Sequence, residues 1–353
     1  MPELNGEEVI HQKEGIVVKK VLVAVLVLFA LCAAIGVMTG EAEAKSYRIN
    51  IATATTGGAY YPIGNAMAQI WSRNLEDVRR ASAQSTAGTP QNVELMKDGE
   101  VQIAFGQNGI CYYAYYGKGI YDGKPPYTDL RGMFTLYPNV MHWLVRKGSG
   151  IQSIADFKER KFVPGQVASA TEINSREMME AYGLNYMKDA GEVNVTADFV
   201  GYNEAADLLK NAQTDGTHIA GGLPTAAIMD ALSSGVAELI SIEEDKIKEI
   251  CEKYPWYFPF TIPAGTYPNQ EKEIKTLALA NILFTDAKQD EELIYMLTKA
   301  TYDYHEDLVN AHRATAYTVL ENALNGMTVP LHPGSVKYFK EMGVDVPEKL
   351  IAK

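Results

Sequence analysis

From Tyr47 onward, short apolar runs alternate with segments of helical periodicity, and this alternation limits the chain to very few folds. Tyr47–Thr53 reads as a strand, followed by a helix over 62–75 with apolar residues at Ile63, Met67, Ile70 and Trp71. A strand over 79–86 precedes a helix over 89–99, with Thr89 as N-cap, Pro90 at the first helical position and Gly99 as C-cap. Residues 101–107 form a compact apolar strand, and a tyrosine-rich helix follows. Residues 130–148 read as a long strand interrupted by Pro138. Strands over 161–166, 195–202 and 217–223 then alternate with helices over 169–184, 203–216 and 224–235. Strands separated by helices of about 10–15 residues imply an α/β fold, with a parallel or mixed sheet and helices on both faces.

One junction recurs. A strand ends in Gly, Ser or Thr, and a helix starts at once. It occurs at Thr56-Gly57-Gly58, Gly88-Thr89-Pro90, Ser169-Ala170-Thr171 and Gly222-Leu223-Pro224-Thr225. In open α/β sheets, ligands bind beyond the carboxyl ends of the strands. Helix N-termini there present free N–H groups and a positive partial charge. Several converging ends would hold a small carboxylate or phosphate without an arginine.

Each motif also has a purely structural reading. Gly57 and Gly58 either admit a ligand to the backbone, with Tyr60 or Tyr61 closing over it, or serve a tight turn. Ser169–Glu172 matches a capping box. Gln107 and Asn108, at the end of a buried strand, are either ligand hydrogen-bonders or loop fasteners. The aromatic clusters at 111–116 and 254–258 fit a core or a domain seam better than a ligand cage. His305 and His312 lie on one face of a solvated helix and do not form HExxH, while His142 and His218 fall in strand-like runs and His332 in a loop. There is no GxGxxG, P-loop lysine motif, GxSxG, SxxK or metal-ligand spacing. No catalytic residue, metal or cofactor is therefore named, which leaves an enzyme reading without a nucleophile or base but does not exclude one.

Composition narrows the partners. The 353 residues carry net charge −12, which argues against nucleic acid and against anionic lipid. The length fits about two domains. Lys19-Lys20 precede eighteen uncharged residues, 21–38, and small residues follow at Ala42 and Ala44. This reads as a secretory signal cleaved after Ala44, although the apolar run is long enough to remain as an anchor. Either way the bulk of the chain is expected on the extracytoplasmic side, in the periplasm. Leu31 before Cys32 rules out a lipobox. Cys111 and Cys251 read either as a pair or as two separate thiols.

The motifs taken together resemble the TAXI family of solute-binding proteins, which serve TRAP transporters. The resemblance runs over nearly all of the chain after residue 44. Its marks are Thr56-Gly57-Gly58-Ala59-Tyr60-Tyr61-Pro62-Ile63-Gly64, Thr86–Val93, Ala104-Phe105-Gly106-Gln107, and the late segments 262–270 and 329–343. Two family glycines are replaced, by Ala168 and Ala170 in Val167–Glu172, and the family's QSD-like triplet is Gln107-Asn108-Gly109. The resemblance implies a two-domain clamshell of periplasmic-binding-protein type II. Domain I would be 47–137 with 261–330, domain II 138–260, and 331–353 a C-terminal segment. It implies a monomer that captures a small carboxylate such as glutamate or 2-oxoglutarate and hands it to TRAP-type membrane permease subunits. Carried onto this sequence, the ligand-binding residues are Thr56, Gly57, Gly58, Tyr60, Gly88, Thr89, Gln107, Asn108, Ser169, Ala170 and Thr171. A sensory binding subunit and an extracellular enzyme on the same fold remain as alternatives.

Overall fold

The computed structural model describes residues 45–352. Residues 1–44, expected to be an export signal or anchor, lie outside them, and Cys32 with them. Residues 47–353 form one compact unit.

The first three strands are β1 (Tyr47–Ala52), β2 (Val78–Gln84) and β3 (Ile103–Gln107). Helices α1 (Tyr60–Asn74), α2 (Thr89–Lys97) and α3 (Asn108–Tyr116) follow them in alternation. β1 pairs parallel with both β2 and β3. All five residues of β3 are buried, as a strand covered on both faces requires. β4 (Leu130–Arg146) then crosses the molecule.

Beyond it the pattern begins again with β5 (Lys161–Val163), α4 (Ala170–Glu180), β6 (Thr196–Ala197), α5 (Tyr202–Lys210) and β7 (Gly216–Gly221). α6 (Ala226–Ser233), β8 (Ala237–Ile240), α7 (Glu244–Lys253) and β9 (Phe258–Ile262) complete this part, and β10 (Ile274–Asp286) crosses back. α8 (Glu291–Asp303), α9 (His305–Ala311) and α10 (Pro333–Glu341) close the chain. Leu293, Leu297, Phe339 and Leu350 from this last part are buried in the same core cluster as β1–β3.

All ten strands join in one sheet, ordered β2-β1-β3-β10-β4-β7-β5-β6, with β8 also on β4 and β9 also on β10. The order holds a repeat that the sequence does not display. One half runs β2-β1-β3-β10-β4 and the other β6-β5-β7-β4-β8. In each, three strands pair parallel in the order second, first, third. An antiparallel long strand then follows, β10 in the first half and β4 in the second.

The run over 130–148 is not broken at Pro138, contrary to expectation. Pro138 faces Ala280 of β10, next to a register shift between Asn281 and Ile282, and β7 begins pairing only at Val140. The missing N–H thus falls where the ladder is already irregular on one side and open on the other. The strand expected over 195–202 shrinks to two residues, because β6 is an outer strand whose only ladder is two pairs with β5.

The core changes over along the long strands. Tyr137 belongs to the cluster around β1–β3, whereas Met141, Trp143, Leu277 and Leu279 belong to a second cluster. Ala280 and Ile282 return to the first. β9 pairs with 274–278, and Phe260 packs on a third cluster with Val140, Leu144 and Ala278.

α1 lies close on the sheet because Gly64 lacks a side chain. A Cβ there would come within 2.5 Å of Thr53 Cγ2 and 3.3 Å of the Phe105 ring. Gly64→Ala is therefore expected to destabilise the fold by about 1–2 kcal/mol, overpacking outweighing the gain in helix propensity. Urea unfolding checks this; an unchanged or raised midpoint would refute the close packing.

Candidate functional site

The strand ends and helix starts meet at one cavity. Its wall takes Gly58 and Tyr60 from the start of α1, Gly88 and Thr89 from α2, and Gln107 immediately before α3. From the other half come Ser169, Ala170 and Thr171 at the start of α4 and Tyr202 at the start of α5. Five helices thus begin at the wall. Thr55, Tyr137, Asn139, Gln166, Gly221 and Gly222 also line it, and none of the lining residues is charged.

Eight of the eleven residues expected at the site line this cavity. Thr56 does not: its place is taken by Thr55, and Thr56 is exposed. Gly57 does not: it is buried against Asn203, where a Cβ would meet Oδ1 at 2.3 Å, and its carbonyl accepts from Ala227 N–H. Asn108 turns away and fastens the chain's last part. Its Nδ2 donates to Gly326 O at 2.9 Å, and its own carbonyl accepts from Thr328 Oγ1 at 2.7 Å. The two adjacent amides therefore divide the two roles, with only Gln107 facing the cavity.

The hydroxyls are pre-set by protein contacts. Thr89 Oγ1 accepts from Gln107 N–H at 3.0 Å and is not the helix cap; Gly88 holds that position. Ser169 is the cap of α4, accepting from Glu172 N–H at 3.2 Å. The expected capping box is only half formed, since the Glu172 carboxylate turns to Arg176 Nε at 2.8 Å and Tyr186 OH at 3.0 Å. As each oxygen already accepts, the O–H of Thr89 and of Ser169 is left to donate. Tyr202 OH donates to Ala220 O at 2.7 Å and lies 2.5 Å from Thr171 Oγ1, which therefore donates to it and keeps lone pairs for another donor. Burial pushes the Tyr202 phenol up to about 12 and the Tyr60 phenol well above its ordinary value, so both are neutral. Tyr60 OH donates to Asn281 Oδ1, and its ring lies 5.0 Å from Phe105, which fixes it as wall rather than as a moving cover.

Five polar atoms of the wall have no partner in the protein although buried: Thr55 Oγ1, Gln107 Oε1, Tyr137 OH, Asn139 Oδ1 and Gln166 Oε1. Buried polar groups are nearly always paired, so this concentration around one cavity marks a place built for a hydrogen-bonding guest or ordered water. Sequence reasoning misses Thr55, Tyr137, Asn139, Gln166 and Tyr202. For Gln166 a signal exists, since it immediately precedes the recognised Val167–Glu172 loop. Tyr137 and Asn139 flank Pro138 in the middle of β4, and nothing local distinguishes them.

Around the cavity the two halves supply matching parts: helix starts, small residues and neutral polar side chains. The class this defines is an α/β fold of periplasmic-binding-protein type II, with a mixed sheet and a polar cleft where its two similar halves meet. The chain belongs to the NMT1-like family, whose model matches residues 51–343. Among solved structures it is similar to the periplasmic aliphatic sulphonate binding protein SsuA from Escherichia coli, at 14% identity and TM-score 0.44, over 83% of this chain and 78% of that one. The ligand-binding component of an ABC-type import system from Staphylococcus aureus aligns at 8% identity and TM-score 0.46, over 87% and 97%. The alkanesulfonate-binding protein SsuA from Xanthomonas axonopodis pv. citri aligns at 12% identity and TM-score 0.43, over 84% and 83%. Among the described residues no helix is long and apolar enough to cross a membrane, and no group of His, Cys, Asp and Glu could hold a metal ion. Cys111 and Cys251 are both free thiols, the first buried and the second half-buried.

The backbone beside the cavity is strained at one residue. Ala168 holds φ at +56°, a left-handed conformation that costs an L-residue about 1–2 kcal/mol. Ala168→Gly is expected to stabilise the protein by about 0.5–1 kcal/mol, after the extra backbone entropy of glycine is subtracted. Thermal unfolding reads this directly, and a lowered midpoint would show that the strain is absent.

Proposed function

We propose that this chain is an extracytoplasmic solute-binding protein that captures a small organic anion between two lobes and delivers it to a membrane transporter. One observation carries the reading. The cavity is walled by five helix N-termini and five buried, unpartnered polar atoms, drawn from both halves, with no charged side chain among its lining residues. Helix starts favour negative charge, and no carboxylate of the wall opposes it.

The lobes proposed are 47–137 with the chain from Ala280 onward, and 138–279. This places the return crossing later than the expected 260/261, because β9 and the first half of β10 pack with the second and third core clusters. A carboxylate would accept from the Thr89 and Ser169 hydroxyls and from N–H groups at the starts of α2 and α4. Gln107, Asn139 and Gln166 would bond its remaining polar atoms, and the Tyr60 and Tyr137 rings would flank its carbon skeleton. Binding without turnover fits a wall whose phenols are neutral and which offers no paired acid and base. The TAXI-like motifs favour glutamate, 2-oxoglutarate or a similar carboxylate as the ligand and a TRAP-type permease as the partner. The segment 1–44 favours export or anchoring on the outer side.

The test is thermal unfolding of protein stripped of ligand by unfolding and refolding, against glutamate, glutamine, 2-oxoglutarate, succinate and monocarboxylates. A ligand at 100 times its Kd adds about 2.7 kcal/mol, enough to raise Tm by a few degrees. Gln107→Ala is expected to weaken that ligand about tenfold or more, since a buried hydrogen bond to a charged group contributes about 1.5–3 kcal/mol. No change in Tm with any of these compounds, in a protein that unfolds cooperatively, would refute the carboxylate reading.

A further inference from the structure

A second polar cluster bridges the two halves and does not touch the cavity. Glu177, on α4 two turns beyond the cavity wall, is 7% exposed. Its Oε1 accepts from Tyr113 OH at 3.1 Å, and its Oε2 from Tyr257 OH at 2.5 Å. Asn174 Nδ2 donates to the same Tyr257 oxygen at 2.7 Å. Tyr113 stands on α3, packed on the first core cluster, whereas Tyr257 belongs to the second. Trp256 strengthens this seam: its ring centroid lies 4.9 Å from that of Tyr113 and 5.9 Å from that of Tyr112. Gly109 is bare beneath it, since a Cβ there would be 2.7 Å from the indole. The aromatic runs at 111–116 and 254–258 therefore meet around a single carboxyl.

The neighbouring cations are engaged elsewhere. Arg176 is held by Glu172, and Lys253 by Glu180, which also accepts from Tyr254 OH at 2.9 Å. The groups facing Glu177 are the phenols of Tyr113 from α3 and Tyr257 from the segment after α7, together with Asn174 of its own helix and the indole of Trp256. Tyr254 and Glu180 carry the nearest further titratable groups on the same side. A carboxylate here is buried with hydrogen-bond donors but no cation to offset its desolvation.

We propose that Glu177 is a positioning residue for ligand capture, a proton-controlled latch whose neutral carboxyl holds the two lobes together and whose carboxylate favours their separation. The inference rests on the two-lobe capture reading above. Burial pushes the Glu177 carboxyl up from its ordinary 4.5 to about 7, against the opposing effect of the Tyr257, Tyr113, Asn174 and Trp256 hydrogen bonds. In separated lobes the carboxyl meets water and returns toward 4.5. The sign follows. A group whose acidity is weakened only in the closed form adds stability to closure that is fully present below about 4.5 and is lost as pH rises through about 7.

The experiment measures the distance between spin labels at Gln69→Cys on α1 and Lys248→Cys on α7, both exposed positions. It uses the full chain with Cys32→Ser and Cys251→Ser, at pH 5, 6.5 and 8, without ligand and with glutamate or 2-oxoglutarate. The closed-to-open ratio is expected to fall about tenfold or more between pH 5 and 8, since releasing one proton on opening changes the ratio about tenfold for each pH step of one across that window. Glu177→Gln, which stays neutral, is expected to keep the pH 5 ratio at pH 8. Tyr113→Phe is expected to lower the ratio at pH 5. A ratio that responds to a carboxylate but not to pH or to Glu177→Gln overturns the latch and leaves the capture reading standing. A response to pH and to Glu177→Gln, with none to either carboxylate, keeps the latch and removes the ligand assignment. One fixed distance under every condition overturns both.

Discussion

Everything in this molecule depends on two long strands that each serve both halves of the sheet. β10 lies beside β3 with its second part, and β4 lies beside β7 with its second part. Without β10, the ladder of β3 away from β1 would lose its partner, and a buried strand cannot leave its N–H and C=O groups unpaired. Each half therefore completes its pairing with a strand shared with the other. The same two strands carry the changes of core cluster, at Tyr137–Met141 and Leu279–Ala280. Motion between the halves would have to be taken up near these positions, where Pro138 and the neighbouring bulge already interrupt regular pairing.

The cleft follows from the same repeat. Parallel strands in each half send their carboxyl ends, and the helices that follow, toward the seam. Helix starts bring fixed partial charges that need no flexible side chain to be ordered, so an anion can be held by backbone while the wall remains neutral. Within it, polar atoms of Thr55, Gln107, Tyr137, Asn139 and Gln166 are left without a partner in the protein. On the flank, Glu177 is a buried acid held by the phenols of Tyr113 and Tyr257, with Asn174 and Trp256 beside them and no cation, whereas the cavity wall has no acid at all.

Much of this can be read from residue order. The helix starts at Thr89 and Ala170 fall within a residue of the expected positions, because Pro90 and the Ser169 cap act on their nearest neighbours. The departures share a cause. Residue order groups Asn108 with Gln107, although its amide is held by Gly326 more than two hundred residues away. It favours Thr56 over its neighbour, and only the path of the turn decides that Thr55 faces inward. Pro138 reads as a break because the bulge beside it, at Leu136, shows only in the pairing with β10, more than a hundred residues away.

The sequence by itself determined the alternation of strands and helices and the glycine and hydroxyl residues at their junctions. These are local properties, set by periodicity, caps and turn geometry within a few residues. Only the tertiary structure decided the two-fold strand order, the shared strands β4 and β10, the choice of Thr55 and Gln107 over Thr56 and Asn108, and the meeting of Tyr113, Glu177 and Tyr257. Those depend on pairings and contacts between distant parts of the chain, and side-chain patterns in one segment carry no record of which other segment will lie beside it.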